Sequence, residues 1–128
     1  MASTQTRINK VANVVIPVAD QEKALTFYVD TLGFTKRIDE PFAPGARWIE
    51  LGIGDETTTI ALPPPPEGGP VGDRQTGITL QTDDIDAMHS QLKDAGVDVD
   101  AEIMRMGGAV PPMFWFRDPE GNILLMVQ

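Results

Sequence analysis

Apolar and polar positions alternate along residues 11–18, VANVVIPV, with Val14, Ile16 and Val18 on one side and Asn13, Val15 and Pro17 on the other. This is the period-two pattern of a β-strand. Pro17 has no N–H to give a sheet, so the strand is expected at an edge or a bulge. The period then lengthens. In QEKALTFYVDTLG, Ala24, Leu25, Tyr28 and Leu32 recur at helical spacing. Asp20, just before it, is a candidate N-cap whose carboxylate accepts from the free N–H groups of the first turn. Gly33 is suited to end the helix in the left-handed conformation. The same order returns later. ITLQTDD, residues 78–84, alternates Ile78, Leu80 and Thr82 against Thr79 and Gln81. Asp84 is the second cap, Ile85, Met88, Leu92 and Ala95 form the second apolar stripe, and Gly96 is the second stop.

The two caps lie 64 residues apart and the two terminal glycines 63. Matching landmarks at one spacing point to a duplicated unit. Further strands are predicted near 35–40, 46–52 and 57–62, and again near 98–103, 113–117 and 122–127. At an offset of 63, Asp55 answers Asp118 and Leu62 answers Leu125. Each half therefore reads strand–helix–strand–strand–strand. The first module spans about 9–62 and the second about 73–128, within one domain of residues 1–128. Between them lies PPPPEGGPVG, residues 63–72, whose consecutive prolines favour extended geometry and read as a semi-rigid linker. One such module cannot bury a large face alone, but two can close a curved sheet around a cleft. The fold class is α+β: two βαβββ modules forming a cupped mixed sheet with helices outside.

Parity nominates the cleft residues. With Val14, Ile16 and Val18 toward the helix, Asn13 and Val15 face the cleft, and the duplication adds Gly77, Thr79 and Gln81. On the closing strands Ile60, Leu62, Ile123 and Leu125 are the equivalent inward candidates. Trp48 in ARWIEL and Trp115 in FWFRD occupy roughly matching hairpins. Their rings would give a guest flat contact area and an orienting N–H; core or dimer-interface packing would use them equally well. Glu50, turned into an apolar wall, would have a raised pKa and the character of a general base. Met104, Met106 and Met113 accompany the Gly107–Gly108 and Pro111–Pro112 pairs, a segment that reads either as a flap or as a plain connection with core methionines.

Composition narrows the classes. A chain of 128 residues, 41% apolar, suits one cored domain. The absence of cysteine excludes disulfides, thiolate metal sites and a cysteine nucleophile. A net charge of −9, spread along the chain, would repel a phosphate backbone, so no nucleic-acid partner is expected. No apolar stretch has the length of a membrane span, and MASTQTRINK has no apolar leader region, so the expected location is cytoplasmic, with no membrane partner. The lone histidine, His89, lies beside Met88 on the second helix and is expected on the outside, not as a ligand. Tyr28 reads as structural, and Asp118 and Asn122 read as turn residues of DPEGN.

VVIPVADQEKALTFYVDTLGF, LQTDDIDAMHSQLKDAGVDV and FRDPEGNILLMVQ together make the chain resemble the vicinal-oxygen-chelate superfamily of glyoxalase I, extradiol dioxygenases and bleomycin-resistance proteins. The DPEGN turn before the last strand is the most specific element, and the resemblance runs from about Asn9 to Gln128. It implies paired βαβββ modules in a cupped sheet and a homodimer with the cleft near or across its interface. Metal-dependent members place ligands on the opening and closing strands of each module. Seven residues before the caps stand Asn13 and Gly77, where family enzymes commonly have His, or Gln in some glyoxalases. Seven after Asp118 stands Leu125, where Glu is usual, with Leu62 as its first-module counterpart. None of the four is ionisable, and glycine and leucine offer zinc, iron or manganese nothing.

The expectation is a metal-independent small-molecule binder without cofactor, sequestering an apolar or aromatic compound. Its site would comprise Asn13, Val15, Trp48, Glu50, Ile60, Leu62, Thr79, Gln81, Met113, Trp115 and Leu125. Asn13, Thr79 and Gln81 are the candidate polar anchors. Two other readings stand beside it: an atypical lyase, isomerase or dioxygenase of the same superfamily, and an interaction or regulatory module.

Overall fold

In this computed structural model, residues 5–67 and 69–128 are described. Residues 1–4, part of the stretch read for an apolar leader, and Gly68 of the predicted linker lie outside the described residues. The chain runs β1 (Asn13–Val15), α1 (Gln21–Leu25) continued by a π-helical stretch (Thr26–Thr31), β2 (Thr35–Ala43), β3 (Ala46–Gly52) and β4 (Thr59–Ala61). It then repeats the order with β5 (Gln75–Gln81), α2 (Ile85–Asp94), β6 (Asp98–Val99), β7 (Met113–Arg117) and β8 (Ile123–Val127). The strands form two four-stranded sheets, β1-β4-β3-β2 and β5-β8-β7-β6. β1 pairs with β4, and β5 with β8, in parallel, while the remaining pairs are antiparallel. Each sheet is thus mixed, with the helix and the next two strands together forming the long connection that a parallel pair needs. This is the α+β, duplicated βαβββ architecture.

Both helices start where a side chain can hold their free N–H groups. Asp20 Oδ1 accepts from Lys23 N at 3.0 Å, and Asp84 Oδ1 accepts from Ala87 N at 3.0 Å. Gly33 and Gly96 end them at φ of 83° and 82°, which a side chain would strain. The first helix widens midway: Leu32 N donates to Phe27 O, five residues back, at 3.0 Å. That bulge contains Phe27 and Tyr28, which reach the other module.

One core joins both halves. Ile49, Leu51, Ile60 and Leu62 of the first sheet and Phe114, Phe116, Leu124 and Met126 of the second belong to the same buried cluster as Tyr28, Ile85 and Leu92 of the helices. Phe27 meets Tyr28 edge-on at 5.0 Å and lies 6.5 Å from Phe116 across the module boundary. Fully burying side chains of this size contributes about 1.5–3 kcal/mol each. Among the described residues no helix is long and apolar enough to cross a membrane.

Several element limits differ from the sequence pattern. β2 continues to Ala43, and β5 begins at Gln75. β6 stops at Val99, and its line continues only through isolated contacts such as Asp100 N to Trp115 O at 3.0 Å and the Met104–Met113 bridge. Gly107 and Gly108 both take positive φ in the bend beyond, with Met106 exposed at its start. β5 shifts register between Gln75 and Thr79, where Gly77 has a φ of 74°.

The register also corrects two site residues. Val15 pairs with Ala61, and Thr79 pairs with Leu125. The counterpart of Leu125 is therefore Ala61, at the 64-residue offset of the helix caps, and not Leu62 at 63. A strand has period two, so one residue of slip turns the side chain to the opposite face. Ile60 and Leu62 accordingly point into the core, with 6% and 0% exposure.

Candidate functional site

Each sheet has one face against the shared core and one face turned away from it. On the first sheet the open face carries Asn13, Val15, Trp48 and Glu50. Cross-strand partners share a face, and the register sets Asn13 beside Thr59, Val15 beside Ala61, Glu50 beside Ala61 and Ile38, and Glu40 beside Trp48. Phe42, at a register shift between Pro41 and Ala43 in β2, meets Trp48 edge-on at 6.2 Å. Ile38 and Phe42 were not read from the sequence as site residues. The cue was there: both are large and apolar on a strand otherwise rich in charge, and they remain exposed, as does Val15.

Glu50 is the electrostatic centre of this face. Its Oε1 accepts from Thr59 Oγ1 at 2.6 Å, and its Oε2 accepts from the Trp48 indole N–H at 2.7 Å. These bonds, Thr59 first and Trp48 second, hold the carboxyl below its ordinary pKa with help from the charge of Lys10, against an opposing effect of burial. The sign is opposite to that expected for a carboxylate facing a purely apolar wall. Glu50 is a fixed anion and a poor general base.

On the second sheet the open face carries Thr79, Gln81, Met113, Trp115 and Leu125. Trp115, Leu125 and Thr79 form one row across β7, β8 and β5, and Met113 and Gln81 flank Val127 in the next. The corresponding row of the first sheet is Glu50, Ala61 and Val15. Trp115 thus occupies the place of Glu50, and Met113 that of Trp48. The two tryptophans are not equivalent positions. Among the described residues the Trp115 indole N–H has no hydrogen-bond partner, which leaves it available to a guest.

The two open faces do not meet within one chain, because the opposite faces of both sheets share the core. A cavity of 630 Å³ lies elsewhere, between Phe27, Thr31, Asp73, Val97 and the β7–β8 turn, and none of the predicted site residues lines it. A smaller one of 160 Å³, between the end of the first helix and α2, touches Gln81 alone of them.

The β7–β8 turn has a different task. Asp118 Oδ1 accepts from the backbone N–H groups of Glu120 and Asn122, both at 2.9 Å, while Oδ2 accepts from Tyr28 Oη at 2.8 Å and Asn122 Nδ2 at 3.0 Å. Burial, then the charge of Asp118, pushes the Tyr28 hydroxyl pKa far up, so it remains a donor. Glu120 accepts from Ala19 N at 2.8 Å and Asp20 N at 2.9 Å. These contacts fasten the two modules of one chain to each other.

The positions corresponding to the metal ligands of related enzymes do not fit a metal. With the register corrected they are Asn13, Ala61, Gly77 and Leu125, which together offer a single amide oxygen. Among the described residues no group of three or more His, Asp or Glu converges elsewhere. His89 lies on α2, with Nε2 2.7 Å from Asp100 O and its ring edge-on to Phe114 at 4.8 Å.

Comparison with known proteins agrees with the duplicated βαβββ fold. Residues 7–126 match the family described as the Glyoxalase/Bleomycin resistance protein/Dioxygenase superfamily. The crystal structure of TnmS3, an antibiotic binding protein from Streptomyces sp. CB03234, is similar with a TM-score of 0.82 and 34% identity, covering 97% of this chain and 98% of that one. A member of the same superfamily from Sphaerobacter thermophilus DSM 20745 gives a TM-score of 0.81 and 38% identity over 94% of this chain and 97% of its own. The protein YurT of Bacillus subtilis (strain 168) is 32% identical over 128 residues, 93% of this chain and 98% of YurT.

Proposed function

The chain belongs to the glyoxalase/bleomycin-resistance/dioxygenase superfamily, and from that premise we propose that it is a metal-independent binding protein that sequesters an apolar or aromatic small molecule between two copies of itself. The observation that carries this reading is the pair of open faces. Each combines aromatic and aliphatic side chains with polar ones, Trp48 and Phe42 beside Asn13, Glu50 and Glu40 on one and Trp115, Leu125 and Met113 beside Thr79 and Gln81 on the other, and within one chain they look away from each other. A two-fold pairing of chains would set the first face of one copy against the second face of its partner, giving two equivalent clefts. Guest binding by apolar contact and stacking needs no metal, in keeping with the donor-poor Asn13, Ala61, Gly77 and Leu125. The similarity to an antibiotic binding protein supports sequestration over turnover.

The test is titration with a planar polycyclic probe, anthracenylmethanol, followed by quenching of tryptophan fluorescence. Saturable binding is expected, with Trp48→Ala and Trp115→Ala each weakening it by roughly three- to tenfold, the worth of one aromatic contact. Absence of saturable binding, or affinities untouched by both substitutions, would overturn the reading.

A further inference from the structure

We propose that the guest of the first open face is a cationic aromatic compound, a planar ring bearing a protonated amine, with Glu50 as its charge partner and Trp48 as its stacking wall. The proposal rests on the binding function above and adds the chemical class of the guest.

The argument begins with which charges are matched. Half-buried Arg47 is paired with Asp39 at 2.7 Å and with Glu22. Half-buried Arg117 is paired with Asp100 at 2.8 Å and Asp98 at 3.6 Å. Glu50, also half-buried, has no ion pair among the described residues; its partners are the neutral donors Thr59 and Trp48. The bonds from Thr59 and Trp48 outweigh burial and keep this carboxylate charged, so a full negative charge stands on the face with no salt bridge among the described residues. Thr59 and Trp48 fix its direction yet use only one acceptor site on each oxygen, and a carboxylate has about four. The remaining sites are free to accept from an ammonium.

The surroundings have the same preference. Trp48 and Phe42, edge-on to each other, form an aromatic corner beside the carboxylate, and ring faces attract cations. Glu40, across from Trp48 on β2, adds a second negative charge to the same face. Lys10, whose charge helps lower the Glu50 pKa, forms no salt bridge with it; its exposed ammonium is 3.5 Å from the Thr57 carbonyl. The chain's net charge of −9 favours approach of a cation from a distance.

The experiment uses two probes with one ring system, anthracenylmethylamine, which is an ammonium at neutral pH, and neutral anthracenylmethanol. Binding of each is measured to the wild type and to Glu50→Gln. The wild type should prefer the ammonium by about tenfold, and raising the salt to about 0.5 M should erode that preference alone. Glu50→Gln should bring the two probes together, with the loss falling chiefly on the ammonium. Equal affinities in the wild type would overturn the proposal while sparing the binding function; failure of both probes to bind would overturn both. A preference that survives in Glu50→Gln would place the cation elsewhere. If Glu50→Gln shifts the monomer–dimer equilibrium without altering the preference, Glu50 meets the second copy and not the guest. Should Glu50→Gln not fold, the wild-type preference and its salt dependence still decide whether a cation is favoured.

Discussion

Trp48 and Glu50 stand on alternate positions of β3, and the indole N–H of one is hydrogen-bonded to the carboxylate of the other at 2.7 Å. Because alternate residues share a face, this bond turns both side chains out of the core and fixes them as one unit. The equivalent pair of the second module is Met113 and Trp115, which has no charge and leaves an indole donor available. The duplicated fold therefore presents two unlike faces, one anionic and aromatic, the other uncharged, with Thr79, Gln81 and the Trp115 indole N–H as polar groups. Asymmetry of this kind suits a guest with two chemically different ends.

Leu62 and Leu125, nominated together by the sequence, should behave differently when truncated. Leu62 is fully buried in the common core, so Leu62→Ala should destabilise the protein by about 2–5 kcal/mol. Leu125 is half-buried on the open face, so Leu125→Ala should lose less stability but weaken binding of anthracenylmethanol. Urea unfolding and fluorescence titration of both variants check the pair. Equal destabilisation would contradict the assigned register.

Tyr28→Phe should loosen the fastening between modules without changing the open faces. The substitution keeps the ring and its contact with Phe27, removes the 2.8 Å bond to Asp118, and leaves that buried carboxylate one donor short. A loss of about 1–3 kcal/mol is expected from urea unfolding. Asp118→Ala should lose more, because Asn122 and the turn N–H groups also lose their acceptor.

Acid stability should show the contribution of Asp39. Hydrogen bonds from Arg47 first, and then Lys36, hold its carboxyl far below the ordinary range. A carboxylate depressed in the folded state gives stability that is fully present above its unfolded pKa, about 4, and is lost as pH falls toward the folded value. The stability gap between wild type and Asp39→Asn should therefore stay constant from neutral pH down to about 4 and close only below it. Urea midpoints at stepped pH measure this; a gap that closes above that range would contradict the assignment.

The helices were legible in the sequence because their signals are local. Asp20 and Asp84, the apolar stripes behind them, and Gly33 and Gly96 fix start, face and stop within a few residues. Parity on β1 and β5 was legible for the same reason, which puts Asn13, Val15, Thr79 and Gln81 on the faces turned from the core. The closing strand β4 was not. It runs Thr-Ile-Ala, its residues are all buried, and nothing in that composition tells one face from the other; only pairing with β1 and β3 sets Ala61 outward and Ile60 and Leu62 inward. The sign of the Glu50 shift depended on Thr59, nine residues away on another strand, and the Tyr28–Asp118 bond spans 90 residues. Contacts of that range leave no periodicity behind them.

The central claim, a metal-free binding cleft completed by a second copy, is tested most directly by native mass spectrometry of the purified, untagged protein, with metal analysis of the same preparation and added anthracenylmethanol. The expected result is a dimer without stoichiometric transition metal that takes up one probe molecule per chain. A monomer that binds the probe fully, or a stoichiometric metal ion retained in the dimer, would contradict it.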